Sequence, residues 1–515
     1  MPKPAPPDPY GKDPPEMTFK AVAVGLLLAL IFGAANAYLG MKAGQTVAAT
    51  IPAAVIAIAL FRLPYFRGNI LEQNIARTAA SVGEALVAAA IFTIPAFMMV
   101  EINGQRLWAD LSQHYWEATM ILLVGGLIGV LFIIVLRRPL CVESDLPFPE
   151  SVASAEIVKA GEAGSHAPKY VFGAMGFAGL IQILKSDKGL QIFREYVEGF
   201  LPFPRSVVHH FNFSKQPIGD VTHHGGVWWT TPNLSPALMG IGYIIGPQLA
   251  SINAAGGLVA WWILIPLLLF FDPDLPRRLG AGQNPQWDVA AYTLWYNIVR
   301  PIAVGTMLVG ACHTLFSMRQ SIIQSVTGAL QASRGATQEG EGRDRTDRDI
   351  PFNWLIIGTI ILTVAITAIY YYFTLSWKAA ILAAVIMSVT GFFLSAVGGY
   401  LTGLVGSSNQ PLSGLTLSAL VLSALVMISI GAQGMAGVAA VLGVAAVVAC
   451  VCSVSGTLIQ DLKAGYLLGG TPWKMQVVEM LAVIVLSVFL MAPIIALHQA
   501  NLATGSIGGR ALPAP

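Results

Sequence analysis

The sequence predicts an all-α fold: a polytopic transmembrane helix bundle of about 13–16 spans or half-spans, with an inverted internal repeat and broken helices. Three observations predict it. Only 11% of the 515 residues are charged and 55% are hydrophobic, whereas about 25% of a soluble domain is charged. There are too few charges to coat a soluble particle of this size. Second, residues 21–41, 43–61, 118–136, 221–271, 351–377, 379–460 and 480–509 contain no Asp, Glu, Lys or Arg. About 18 apolar residues in a row suffice to span a bilayer, so 221–271 and 379–460 must fold back on themselves. Third, the long apolar runs lack the two-residue alternation of an outer-membrane barrel, and a short motif recurs in the two halves.

Residues 1–17, rich in proline and mixed charge, predict a disordered tail. Lys12, Lys20, an apolar run and Ala35-Asn36-Ala37 imitate a secretory signal. The run is long for a signal and many spans follow, so a retained first helix is expected. Spans follow at roughly 18–40, 43–61, 78–100, 118–136, 168–185, 233–250, 253–271, 290–317, 352–374, 378–401, 412–431, 435–457 and 476–497. These divide into an N-terminal half (18–318), a linker (319–351), a C-terminal half (352–498) and a tail (499–515). The linker is rich in Gly, Gln and charge. Cytoplasmic loops favour Lys and Arg. Arg62 and Arg67, Arg137 and Arg138, the arginines of 319–348, and Lys463 with Lys474 share one side if the N-terminus is cytoplasmic. A net charge of +2 suggests no nucleic-acid partner.

Tyr38-Leu39 lies five residues ahead of Gly44, and Tyr400-Leu401 five ahead of Gly406. Leu71-Glu72-Gln73-Asn74-Ile75 later resembles Leu458-Ile459-Gln460-Asp461-Leu462. Each half therefore offers a Gly-rich break followed by an amide–carboxylate patch. Corresponding breaks in two halves point to the midplane site of a transporter; chance similarity among Gly/Ala/Leu-rich helices is the competing explanation. Irregular backbone at membrane depth must be buried or line a cavity. Residues 403–411 look like such a break: Ser408 or Asn409 could cap the next helix, with Pro411 in its first turn. Free N–H groups there suit a substrate carboxylate. Residues 40–51, ahead of Pro52, could do the same. An ordinary interfacial turn is the plainer account of both.

Ionisable residues inside a membrane are costly and usually functional. Glu84 is the clearest, followed by sixteen uncharged residues; it either pairs with Arg77, titrates as a proton carrier, or sits at the headgroups. Asp461 and Lys463 carry the same ambiguity. Lys42 either neutralises an anionic substrate or snorkels. His209-His210 and His223-His224 are expected to be solvated loop residues, because a metal site needs a convergent ligand set. Trp228-Trp229 reads as an interfacial belt. Gly125-x3-Gly129, Gly242-x3-Gly246 and Gly399-x3-Gly403 permit close helix packing. Cys141, Cys312, Cys450 and Cys452 form no CxxC pair and read as apolar packers. No Walker loop, HExxH or GxSxG motif appears, so no catalytic residue, metal site or cofactor is expected, and the chain is not expected to be an enzyme.

Asn36-Ala37-Tyr38-Leu39-Gly40-Met41-Lys42-Ala43-Gly44, with Ile51-Pro52-Ala53-Ala54, resembles the oligopeptide transporter family, which includes yellow-stripe-like carriers of metal–chelate complexes. The likeness continues at Asn69–Asn74, Ala80-Ser81-Val82-Gly83-Glu84, Pro147-Phe148-Pro149-Glu150, Gly242-Tyr243-Ile244-Ile245-Gly246-Pro247, Gly403–Gly414 and Gln460–Tyr466. It spans about 20–495 and is strongest to the shorter prokaryotic branch; Arg77 stands where related sequences tend to have Gln. The resemblance implies a multi-pass protein of the bacterial inner membrane that imports small peptides or peptide-like chelates with protons. Asn36, Tyr38, Lys42, Asn74, Tyr243, Ser407, Ser408 and Asn409 are then the expected substrate-binding residues, and Glu72, Glu84 and Asp461 the expected proton-coupling ones. The expected partners are substrate, protons and the lipid bilayer, with a homodimer as one open assembly. An intramembrane enzyme or a channel remains the rival class.

Overall fold

The Thr18 hydroxyl accepts a hydrogen bond from the Ala21 N–H, satisfying one of the donors that every helix start leaves free, and α1 (Phe19–Ala43) follows. It ends at Gly44, whose φ of 69° is left-handed and suits glycine. The computed structural model describes residues 14–44, 46–64, 66–102, 104–162, 167–185, 190–194, 196–204, 206–223, 226–231, 234–282, 286–317, 319–320, 323, 344–432, 434–500 and 507. Most of the expected tails (1–17 and 499–515) and of the linker lies outside these.

After Gly44 the chain turns back into α2 (Thr50–Phe61), only 12 residues long. At 1.5 Å per residue that is about 18 Å, half a bilayer core, so α2 is a half-span. α3 (Ile70–Met99) starts with a capping box: the Asn69 side chain accepts from the Glu72 N–H, and Glu72 accepts from the Asn69 N–H. It is buried on every side, as a helix at the centre of a bundle is. A Cβ at Gly83 would collide with the Ala29 carbonyl, so glycine is what lets α1 and α3 approach.

A short hairpin, β1 (Glu101–Ile102) with β2 (Gln105–Arg106), leads to Asp110. The Ser112 hydroxyl and N–H both donate to Asp110, holding its carboxyl below the usual range. α4 (Tyr115–Arg137) continues through a π-turn at Arg138–Val142. α5 (Pro149–Glu162) and α6 (Ala167–Lys185) follow.

Residues 172–310 form a compact unit of their own. Within it, β3 (Glu198–Pro202), β4 (Ser206–Phe211), β5 (Pro217–His223) and β6 (Gly226–Thr230) pair antiparallel as β3 with β6 and β4 with β5. His209 was expected in a loop; it lies on β4 opposite Asp220, exposed and ion-paired to it. Trp228, expected as a belt residue, sits edge-on to Trp261 at 5.6 Å in this unit's core. α7 (Pro236–Leu258) runs through a π-segment, Val259–Leu264, into α8 (Ile265–Phe271). Two spans were expected here, at 233–250 and 253–271. The helix is instead continuous, because no Gly or Pro falls where a turn at 251–252 would need one. α9 (Leu275–Arg278), α10 (Trp287–Leu294) and α11 (Arg300–Ser317) complete the segment.

The order of a long helix, a glycine-ended break, a shorter helix and a long buried helix occurs again after the linker. After α12 (Phe352–Thr374), α13 (Trp377–Val405) ends at Gly406, φ 93°. A break precedes α14 (Leu412–Ser429), and α15 (Gly434–Leu468) is another buried central helix. α16 (Pro472–Phe489) and α17 (Met491–Ala500) close the chain. α1 packs on α3, α13 on α15, and α3 on α15, so the two central helices form the spine of the first unit. Gly125 and Gly129 of α4 face Val447, Cys450 and Val451 of α15, the close packing their spacing predicted. Among the described residues, nine helices are long and apolar enough to cross a membrane. The protein is a polytopic transmembrane helix bundle.

Candidate functional site at the two helix breaks

Asn36 shapes the first break. Its Oδ1 accepts from the Val47 N–H at 2.8 Å, and its Nδ2 donates to the Val47 and Phe32 carbonyls at 3.2 and 3.1 Å. A side-chain amide here supplies what a straight helix would have supplied to backbone that has left it. The chain then turns into the N-terminus of α2. There the Glu84 carboxyl, from the fifteenth residue of α3, faces the Ala49 N–H and the Thr46 hydroxyl. The headgroup placement of Glu84 is therefore not what is seen: it is 3% exposed and halfway along its helix. Its expected pairing with Arg77 is also absent, because Arg77 turns to another helix.

The second break has the same construction. Glu150, at the start of α5, accepts from the Ser407 N–H at 3.1 Å, from the Ser407 hydroxyl at 3.4 Å and from the Ser408 hydroxyl. The expected caps differ: α14 starts after Pro411 with no side-chain cap, and Asn409 instead donates back to the Val405 carbonyl at 3.1 Å. At the second break the Ser407 N–H, in the short turn before α14, is thus held by the protein's own Glu150 and Gln460. Each break has one buried acid beside it.

Gln460 ties the breaks together. Its Oε1 accepts from the Ser407 N–H at 2.8 Å while its Nε2 donates to the Thr50 hydroxyl at 3.3 Å. One residue on, Asp461 is ion-paired with Arg77 of α3 and accepts from the Ser81 hydroxyl. Arg77 also donates to the Asn74 side chain at 2.8 Å and to the Asp461 carbonyl at 3.2 Å. Glu150 and Asp461 both lie within electrostatic reach of Glu84. Glu84, Asn74 and Asp461, all buried, and the half-buried Ser407 and Ser408 are therefore brought into one polar network around α3 and α15.

Other expected residues lie apart. Glu72 is at the start of α3, bonded to the Thr18 hydroxyl at 2.6 Å and to Lys20 at 3.1 Å. Tyr38 and Lys42 sit near the far end of α1, with the Lys42 ammonium 5.9 Å from the Tyr38 ring centre. Tyr243 is an exposed residue of α7 in the other unit. No group of three His, Cys, Asp or Glu side chains positioned to hold a metal occurs among the described residues.

Three participants were not singled out in the sequence. Glu150 stood only inside the Pro147–Glu150 motif, and Gln460 only inside the repeat. Glu479 borders the charge-free run 480–509, so hydropathy puts it at the edge of a span; α16 begins seven residues earlier and carries it inside. A helix start at Pro472 was the available signal.

The family described as OPT oligopeptide transporter protein matches residues 16–515. A protein of Haemophilus influenzae described as "Putative oligopeptide transporter" is 30% identical over 463 residues, covering 85% of this chain and 66% of that protein. The chain thus spans just under two thirds of that relative's length. With a matched region that takes in both breaks and every residue of the polar network, the chain belongs to the OPT oligopeptide transporter family.

Proposed function

We propose that the protein is a proton-coupled symporter of the bacterial inner membrane that imports small oligopeptides or peptide-like metal chelates. The observation that carries this reading is the pair of breaks, each with a buried acid beside it, Glu84 at Ala49 and Glu150 at Ser407, and joined through Gln460. A peptide is a zwitterion, and this arrangement matches both of its ends. Its ammonium suits the Glu150 carboxylate; its carboxylate suits the Ala49 N–H that Glu84 now faces.

Exchange follows from that competition. A proton arriving on Glu84 removes the charge that holds the Ala49 N–H, and a substrate carboxylate takes its place. Asn74, Ser407 and Ser408 are then within the same network to meet peptide amides, with Asn409 in the adjoining turn, and Tyr38 with Lys42 would stand on the approach. One repeat rocking against the other about the fixed breaks gives alternating access.

The test is uptake of labelled tri- to pentapeptides and iron–chelate complexes into proteoliposomes, with and without an inward proton gradient. Gradient-driven accumulation of either class is expected. Accumulation indifferent to the gradient removes proton coupling. Peptide cleavage, or ion current without accumulation, would favour the enzyme or channel reading.

A further inference from the structure

We infer that Glu479 on α16 is a second proton site beside Glu84, taking up and releasing a coupling proton, with Arg77 as the group that senses its charge. The inference rests on the transport reading above and adds a residue that reading does not use. Glu479 is two turns inside α16, is fully buried, and has no hydrogen-bond partner among the described residues on either carboxyl oxygen. A carboxylate kept only to hold helices together would be bonded, since a buried charge without donors is strongly disfavoured. What an unbonded buried carboxyl does tolerate is a proton.

The neighbours fit that use. Arg77 from α3 and Asp461 from α15 face Glu479 electrostatically. The other helices packed on α16 offer nothing ionisable at its level: α4 has no such residue between Glu117 and Arg137, α1 none between Lys20 and Tyr38, and α17 none before His498. Glu16, Arg345, Asp349 and Lys474 bond one another or α16 side chains near its first turn, around Thr471–Gln476. Arg77 bonds Asp461 and Asn74 through its terminal nitrogens, but its Nε is buried without a partner among the described residues. With Glu479 protonated, the guanidinium and Asp461 balance as one pair. When the O–H bond breaks and the proton leaves to water, two carboxylates compete for one guanidinium that still has a donor to give. Any shift of Arg77 pulls on Asp461, hence on Ser81 and on the adjacent Gln460, which holds both breaks.

A metal cation is a poorer fit. Hard cations take about six or more oxygen ligands, and no group of three His, Cys, Asp or Glu side chains that could hold a metal ion occurs among the described residues. A proton needs one oxygen.

The experiment uses the full chain in proteoliposomes, comparing wild type, Glu479→Gln and Glu479→Asp. In Glu479→Gln, exchange of labelled for unlabelled peptide should persist within about twofold of wild type, while gradient-driven accumulation falls at least tenfold. Glu479→Asp should keep accumulation with a shifted pH profile. Infrared spectra of the same samples should show a protonated-carboxyl component in wild type that is lost in Glu479→Gln and is still present in Glu84→Gln. Undiminished accumulation in Glu479→Gln overturns the proposal, as does loss of exchange and accumulation together in both folded variants. Accumulation that requires sodium instead of a proton gradient overturns it too. If wild type moves no peptide, the transport reading fails, and the infrared band alone then decides whether Glu479 holds a proton: an unchanged band overturns the assignment.

Discussion

Arg77 and Asp461 form a fully buried ion pair between α3 and α15, 384 positions apart in the chain. Both central helices of the repeat are therefore joined at one point by charge, next to the amide that joins the two breaks. Removing one member of such a pair strands the other, which costs about 3–5 kcal/mol, whereas removing both costs much less. Arg77→Met and Asp461→Leu should each lower the melting temperature sharply in detergent, and the double variant should recover most of the loss. Three variants that melt like wild type would show that the pair carries no stability.

Gly406 makes a sharper test of the second break. Its φ of 93° disfavours any side chain, and a Cβ there would meet the Glu150 carboxyl. Gly431 also has a positive φ, 76°, but faces open space. Gly431→Ala should therefore carry only the backbone cost, about 1–2 kcal/mol, and leave uptake intact. Gly406→Ala should carry that cost and also dislodge Glu150 from Ser407, reducing uptake roughly tenfold or more, the equivalent of about 1.4 kcal/mol. Equal behaviour of the two variants in melting and uptake would separate Glu150 from the transport path.

Hydropathy made the helices legible because apolar length is itself the physical requirement for crossing a bilayer. It could not place polar residues buried inside a helix. Gln460 ends an 82-residue charge-free run and Asp461 follows it, whereas α15 carries them eight and seven residues before its C-terminus. Glu72 and Glu84 share one helix and look alike in sequence, yet one closes a capping box at its start and the other holds a break halfway along. Only tertiary packing separates them. The breaks themselves were visible, since Gly44 and Gly406 at matched positions mark left-handed backbone. Which acids would occupy their N–H groups was not, because Glu150 arrives from a helix more than 250 residues away in sequence. The hairpins at 198–230 escaped because their strands are short and rich in Gly, Pro and His.

Orientation is testable at the face where the N-terminal segment meets the segment after the linker. Glu16 is bonded to Arg345 at 2.7 Å and to the Thr471 N–H at 3.0 Å, so residues 16 and 345 lie on the same face of the bundle. The arginine distribution predicts that this face is cytoplasmic. A cysteine introduced by Gln338→Cys should resist membrane-impermeant maleimide in intact cells and react after permeabilisation. Labelling from outside would invert the topology.

The last prediction separates the two acids that hold the breaks. Glu84 and Glu150 each face a backbone N–H at a break, and each has a neutral isostere that can still accept. Replacing carboxylate by carboxamide therefore keeps the hydrogen bond and removes the charge. A charged acceptor is worth about 1 kcal/mol more than a neutral one at such a site. Glu84→Gln and Glu150→Gln should accordingly keep expression and lose only a few degrees in melting temperature. Uptake is the discriminating readout. If Glu84 yields its N–H group to substrate on receiving a proton, Glu84→Gln imitates the protonated state permanently. Peptide binding should then survive, measured as peptide-induced thermal stabilisation, while gradient-driven accumulation drops about tenfold. Glu150→Gln should weaken binding of peptides with a free N-terminal amine more than that of N-acetylated ones, because it removes the charge offered to the ammonium. Full uptake in Glu84→Gln would return Glu84 to a purely structural part, a cap for α2 with no share in transport.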